Sequence, residues 1–238
     1  MEWQEKYSKN KIHFFGEEPK WIRQLSWDCD KKILIELGAG GGINTYYLKR
    51  KYPECKIFSI DISHLRCIRC RDNANSLVIQ GDCCKLPFQK CSVDFVVCTM
   101  VIEHVPDDMT LIKEIERIAK PGGKVFLSSV IRMKFGVYFY RNINGQLMLD
   151  PTHVREYSSV AEFEVLFSDL FHIEQSKTSR ICFSPLRFIF RTLFSLNIIN
   201  SPNSKVFQSN HFLKLLSRIK FCIPRYRKIE VEAIKIDD

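Results

Sequence analysis

The chain has 238 residues, 45% of them apolar and 26% charged, with a formal net charge of +9. Those proportions are globular and exclude disordered, collagen-like and low-complexity chains, and the length suits one elaborated domain. No clean apolar run reaches the ~18 residues of a conventional membrane span, and the opening Met1-Glu2-Trp3-Gln4-Glu5-Lys6 lacks the basic-then-apolar order of a secretory signal, which predicts a cytoplasmic protein.

Residues 1–30 mix polar and aromatic side chains (Trp3, Tyr7, Phe14, Phe15, Trp21, Trp27) and read as a helical N-terminal cap. From residue 31, apolar runs alternate with helix-like segments, the order of βαβ units around a parallel sheet. The first strand is Ile33–Leu37. A glycine-rich turn leads to a helix over Ile43–Lys51, which Pro53 stops. Lys56–Ile60 is the second strand, ending at Asp61, and Ser63 is placed to cap the next helix. Leu77–Gln80 is the third strand. Val93–Cys98 is a continuous apolar run, as in a strand buried on both faces. A helix over about Asp107–Ala119 puts Leu111, Ile112, Ile115 and Ile118 at a 3.6 period and ends at Pro121-Gly122-Gly123. The fifth strand is Lys124–Val130. A helix near Ser158–Leu170 and a strand near Phe171–Glu174 follow, and the strict alternation of residues 229–236 predicts a late antiparallel strand.

Between those last strands, residues 177–228 carry eleven Lys/Arg and no Asp or Glu, leaving 25 basic against 27 acidic residues elsewhere. All the excess charge therefore sits in one insertion. Its apolar stretches around 181–200 and 212–221 are edged with Arg187, Arg191, Lys214, Arg218 and Lys220. Such amphipathic, basic segments suit an anionic membrane surface, so one reading of residues 181–228 is a lid that covers an apolar or lipid-linked substrate and dips into the bilayer. Two other readings stay open: a helix pair for the core or for an oligomer, and an RNA-binding arm. The expected division is thus an N-terminal cap (1–30), a core (31–176 and 229–238) and a basic amphipathic insertion (177–228). Ten cysteines at unmatched spacings predict inert thiols and no disulfide frame.

The chemistry-bearing residues cluster at strand ends. Glu36-Leu37-Gly38-Ala39-Gly40-Gly41-Gly42 sits where strand turns to helix, and glycines there let a ligand touch the backbone. Asp61, 19 residues after Gly42, ends the next strand, where a carboxylate can accept both hydroxyls of a ribose. The glycine order is not the G-x-G-x-x-G of a dinucleotide site, and Glu36 would repel a pyrophosphate while suiting a cation. No Lys-Ser/Thr follows, so a P-loop is excluded.

With its E-x-G-x-G-G-G loop, Asp61, Gly81-Asp82-Cys83-Cys84-Lys85-Leu86-Pro87-Phe88, Ile102-Glu103-His104-Val105-Pro106-Asp107 and Pro121-Gly122-Gly123, the chain resembles the class I S-adenosylmethionine-dependent methyltransferases of the small-molecule type over about residues 31–175. The resemblance implies a Rossmann-like, mostly parallel seven-stranded sheet with helices on both faces. It implies a cofactor site of Glu36, Gly38, Ala39, Gly40, Gly42, Asp61, Ile62, Asp82, Cys83 and Thr99. Asp61 would hold the ribose, Ile62 would lie beside the adenine, Asp82 would accept from the adenine amino group, and Cys83 would add a backbone N–H.

A sulfonium methyl is already activated, so the protein must align the acceptor and exclude water, with a base where the acceptor is a hydroxyl. His104 and His153 are the candidate catalytic residues because histidine titrates near neutrality; Asp150 and Tyr157 are weaker ones. The alternative roles are that His104 bonds its own loop and that His153 packs against the cleft. Thr99-Met100-Val101-Ile102 stands where methylases of nucleobase amines carry Asn/Asp-Pro-Pro-Tyr/Phe, which disfavours nucleic acid and points to a small-molecule acceptor. His64, Cys67 and Cys70 share a helix face but lack a fourth ligand, so no metal is expected. The competing function is a non-catalytic nucleotide-binding scaffold docked through the basic arm.

Overall fold

The computed structural model describes residues 18–136, 140–141, 145–183 and 219–236. In chain order these form α1 (Lys20–Gln24), β1 (Ile33–Leu37), α2 (Ile43–Lys51), β2 (Lys56–Asp61), α3 (His64–Ala74), β3 (Leu77–Gln80), β4 (Val93–Thr99), α4 (Asp108–Ile118), β5 (Ala119–Arg132), the short pair β6 (Tyr140–Arg141) and β7 (Leu147–Met148), α5 (Val160–Glu164), β8 (Phe171–Phe183) and β9 (Phe221–Lys235).

Seven strands make one sheet in the order β3-β2-β1-β4-β5-β9-β8. The first five are parallel. β9 enters antiparallel between β5 and β8. The expected Rossmann-like, mostly parallel sheet is therefore what the chain forms. Strand order reverses between β1 and β4, and open α/β sheets bind ligands at the carboxyl ends of strands at such a switch point.

Each face of the sheet buries its own apolar set. One side packs Ile35, Leu37, Val96 and Cys98 against Leu111, Ile112, Ile115 and Ile118 of α4. That helix starts at Asp107, whose Oδ1 accepts from the amides of Met109 (3.0 Å) and Thr110 (3.3 Å), a cap that typically contributes ~1 kcal/mol. Ser63 caps α3 in the same way, accepting from the Arg66 amide at 3.3 Å. On the other side, α1 and the segment after it cover the sheet with tryptophans. Trp21 stacks on Phe126 at 4.5 Å and Trp27 on Phe95 at 4.9 Å, pairings that add to the area they bury.

The structure differs from the sequence reading at the outer elements. Pairing of β5 with β4 starts at Ala119, straight after α4, and resumes at Lys124 opposite Phe95. Pro121-Gly122-Gly123 is therefore a bulge inside the strand and not a break before it. The helix expected over 158–170 shrinks to α5 with a 3₁₀ turn over Val165–Phe167, Ser159 accepting from the Glu162 amide as its cap. β8 and β9 run far past the expected strands, so 177–183 and 221–228, assigned to the basic insertion, belong to the sheet at their described ends. Residues 184–218 of the amphipathic insertion expected over 177–228 lie outside the described residues, as does the N-terminal cap before residue 18. Cys182 and Cys222 face one another in the β8–β9 ladder and form a disulfide, against the expectation of free thiols. The other described cysteines are free.

Candidate functional site

At the switch point, a cleft of about 610 Å³ opens along the carboxyl ends of β1, β2 and β4. Its first wall is the turn from β1 to α2. Gly38 has φ +65°, and a Cβ there would stand 2.2 Å from Val101 Cγ2, so only glycine fits. The Ala39 amide donates to the Ile60 carbonyl at 2.9 Å, tying the turn to β2. Asp61 closes the arrangement. Its Oδ2 accepts from the Gly40 amide at 2.9 Å and its Oδ1 from the Ser63 amide at 2.9 Å, with the Arg66 guanidinium at 3.8 Å. Its carboxylate is thus fixed by backbone on two sides while still lining the cleft.

Gly38, Ala39, Gly40, Asp61, Ile62, Asp82, Cys83 and Thr99 all line this cleft. Asp82 is exposed and accepts from the Cys84 amide at 2.8 Å. Thr99 takes a hydrogen bond from Asn44 Nδ2 at 3.1 Å. Two expected contacts stand one layer back. Gly42, with φ +83°, packs against the α3 backbone at Cys70, a Cβ there meeting the Cys70 Cα at 2.9 Å. Glu36 is buried beneath the turn, accepting a short hydrogen bond from Thr45 Oγ1, and its second oxygen meets no partner among the described residues. Burial pushes its pKa up to about 7, against the hydrogen bonds from Thr45 and Asn44. β1 points Glu36 away from the cleft because successive side chains of a strand alternate between faces.

The other end is built from two loops. Met100 leaves β4 in the left-handed region, φ +56°. Ile102–His104 then make one 3₁₀ turn. The segment 150–157 lies across it. Arg155 donates to the carbonyls of Ile102 (3.0 Å), Val105 (2.6 Å) and Pro106, and the Val154 amide donates to the Glu103 carbonyl at 2.8 Å. These bonds bring His104 and His153 together, ring centroids 5.0 Å apart, at the cleft edge. His104 Nδ1 lies 3.1 Å from the Thr152 carbonyl and 3.0 Å from its hydroxyl. His153 is buried, with Nδ1 2.8 Å from Glu156 Oε1. Glu156 is in turn held by the Leu149 amide at 2.7 Å and the Tyr226 hydroxyl at 3.0 Å.

Asp150 lines the cleft and accepts from the Thr152 amide at 3.0 Å. Tyr157 does not reach the cleft; its hydroxyl donates to Asp108 at 3.0 Å and burial raises its pKa. His64 Nδ1 lies 3.2 Å from Gln80 Oε1, while Cys67 and Cys70 are buried. Sequence reasoning gave no role to Asn44, Arg66, Glu103, Glu156 or Lys228. Glu156 stood three residues after His153 in the polar 150–157 segment, and Glu103 stood within the Ile102–Asp107 motif.

Residues 35–127 match the family model described as a methyltransferase domain. A demethylmenaquinone methyltransferase from Geobacillus stearothermophilus is 35% identical over 125 residues, covering 48% of this chain and 53% of that protein. A ubiquinone biosynthesis O-methyltransferase from Acinetobacter baumannii is 27% identical over 119 residues, covering 47% of this chain and 49% of its own. The chain thus spans about half the length of these curated relatives. Among solved structures, the YcgJ protein from Bacillus subtilis shares the fold with a TM-score of 0.61 at 19% identity, over 92% of this chain and 97% of that one. A Haemonchus contortus phosphoethanolamine N-methyltransferase in complex with S-adenosyl-L-methionine shares it with a TM-score of 0.58 at 14% identity, over 91% and 51%.

Proposed function

We propose that this chain, whose residues 35–127 match a methyltransferase-domain family model, is a class I S-adenosylmethionine-dependent methyltransferase that moves the cofactor's methyl group to a small-molecule acceptor carried on a lipid or glycan. The observation that carries the reading is one cleft that joins a glycine turn and a fixed carboxylate at one end to two imidazoles at the other. Its residues suit the cofactor. Gly38 and Gly40 leave room for a ligand against backbone, and Asp61 presents a carboxylate to the ribose hydroxyls. Asp82 accepts from the adenine amino group, Ile62 flanks the ring and the Cys83 amide adds a donor. Glu36, one layer below, places negative charge under a cationic sulfur. S-adenosylmethionine supplies a methyl group already activated on that sulfur. The protein's task is to align the acceptor and to keep water out.

The acceptor enters where His104 and His153 stand, beside Asp150 and Lys228. The names of the demethylmenaquinone and ubiquinone relatives support a small organic acceptor. A lipid-linked one fits the exposed Phe135 (84%) and Phe221 (57%), set among Lys134, Lys220 and Arg225. With the charge of residues 177–228, these suit a protein peripheral to the cytoplasmic face of an anionic membrane.

Calorimetric titration with S-adenosylmethionine tests the core of this. Saturable 1:1 heat is expected, with affinity falling at least ~30-fold in Asp61→Ala, since a buried charged hydrogen-bonding group carries ~2–3 kcal/mol. A scaffold gives no saturable heat, and that result refutes the reading. Mass spectrometry of extracts incubated with a deuterated-methyl donor then identifies the acceptor. Salt-sensitive co-sedimentation with phosphatidylglycerol vesicles supports the membrane component; retention on RNA alone removes it.

A further inference from the structure

We propose that Glu103, His104 and His153 form a binding site for one divalent transition-metal cation of the zinc class at the acceptor end of the cleft. One ligand atom from each lies within 4.8 Å of the other two, a set that the chain assembles from positions 50 residues apart. Two imidazoles and a carboxylate are the donors that borderline divalent cations prefer.

Each of the three is also oriented by a second partner, as metal ligands usually are. His153 Nδ1 is held 2.8 Å from Glu156 Oε1. His104 Nδ1 lies 3.1 Å from the Thr152 carbonyl. Glu103 is fully buried; its Oε2 accepts from Ser129 at 2.8 Å, while its Oε1 meets no hydrogen-bond partner among the described residues. An unpartnered buried carboxylate oxygen is costly, and a cation held between it and the two imidazoles removes that cost. His104 and His153 both line the cleft at its acceptor end. Three protein ligands with an open position is the arrangement of a catalytic rather than a structural centre. A cation held there would lower the pKa of an acceptor hydroxyl bound to it, and the released proton would pass to bulk water.

The inference revises the sequence reading of no metal, because nothing in the residue spacing brings His153 to Glu103. It deepens the reading of the acceptor end, and its test separates from that reading. Metal-free full-length protein, dialysed against chelator, is titrated with Zn²⁺ by calorimetry and with Co²⁺ by visible absorption. One equivalent is expected to bind, with the d–d bands of nitrogen and oxygen ligation and no thiolate charge-transfer band. His104→Ala/His153→Ala is expected to lose at least ~100-fold in Zn²⁺ affinity, and Glu156→Gln ~10–100-fold through its hold on His153. Should the double variant fail to fold, Glu103→Gln carries the comparison. No saturable binding, affinity unchanged in these variants, or a thiolate band from the competing Asp82-Cys83-Cys84 cluster each overturns the proposal. S-adenosylmethionine heat on the metal-free protein reports on the methyltransferase reading by itself.

Discussion

The two ends of the cleft are built in different ways. At the glycine end, the groups that face the ligand are backbone amides and one carboxylate that the backbone itself fixes: Gly40 and Ser63 both donate to Asp61. At the histidine end, side chains hold side chains, with Glu156 on His153, Thr152 on His104, and Arg155 spanning three carbonyls. The first end is drawn from positions 38–63, and at Gly38 it has no space for a Cβ. The second is assembled from loops about 50 residues apart and depends on buried polar pairs. Backbone-built sites fail by steric exclusion, and side-chain-built sites fail by losing a partner.

Steric failure is the larger. In Gly38→Ala the new Cβ falls 2.2 Å from Val101 Cγ2 at a φ of +65°. Overpacking and left-handed strain together should cost about 3 kcal/mol in thermal or denaturant unfolding. They should also lower S-adenosylmethionine affinity ~100-fold. Adding Val101→Ala removes the clash but not the strain, so the double variant should recover about half the loss. Purely additive single effects in that cycle would show that the turn is not locked by Val101.

Losing a partner gives the next effect. Arg155→Ala leaves the carbonyls of Ile102, Val105 and Pro106 without their donor and unpins 150–157 from the β4 exit. A charge-assisted set of this kind should cost about 2 kcal/mol of stability. Hydrogen exchange should quicken over 149–157, while cofactor affinity stays within ~3-fold of the parent. An equal loss of cofactor binding would mean that the two ends are one mechanical unit and that the contrast between them is false.

The same contrast explains what could be read from the residues beforehand. β1, α2 and β3 have the expected bounds because apolar runs meet Gly or Pro at their ends, and Asp61 was visible because the motif is local. The outer halves of β8 and β9 were not legible. Residues 177–180 (Lys-Thr-Ser-Arg) are polar and exposed, and 221–225 (Phe-Cys-Ile-Pro-Arg) are largely apolar yet mostly exposed, so neither shows the alternation of a half-buried strand, and backbone pairing makes them strand. Glu103 looked like one acid in a loop. Only the crossing of 150–157 over that loop, through the Glu103 carbonyl and Arg155, turns it toward His153. Met100 adopts a left-handed backbone without the glycine that would have signalled it.

Glu36 marks the border between the two kinds of construction: a side chain buried beneath the backbone-built end. Its folded pKa of about 7 stands above the ~4.3 of an unfolded glutamate. Between those values the native state binds more protons than the unfolded chain, so stability falls as pH rises through the interval and levels off above it. From pH 5.5 to 7 this one group should remove about 1–2 kcal/mol. Glu36→Gln, which cannot ionise, should flatten that part of the unfolding free-energy profile while leaving the acid limb below pH 4 unchanged. A bound cation above the turn favours the ionised carboxyl, so cofactor binding near pH 6.5 should release a fraction of a proton. Calorimetry in two buffers of different ionisation heat reads that release directly. A proton count that Glu36→Gln leaves untouched would assign it to another group and take Glu36 out of the cofactor's field.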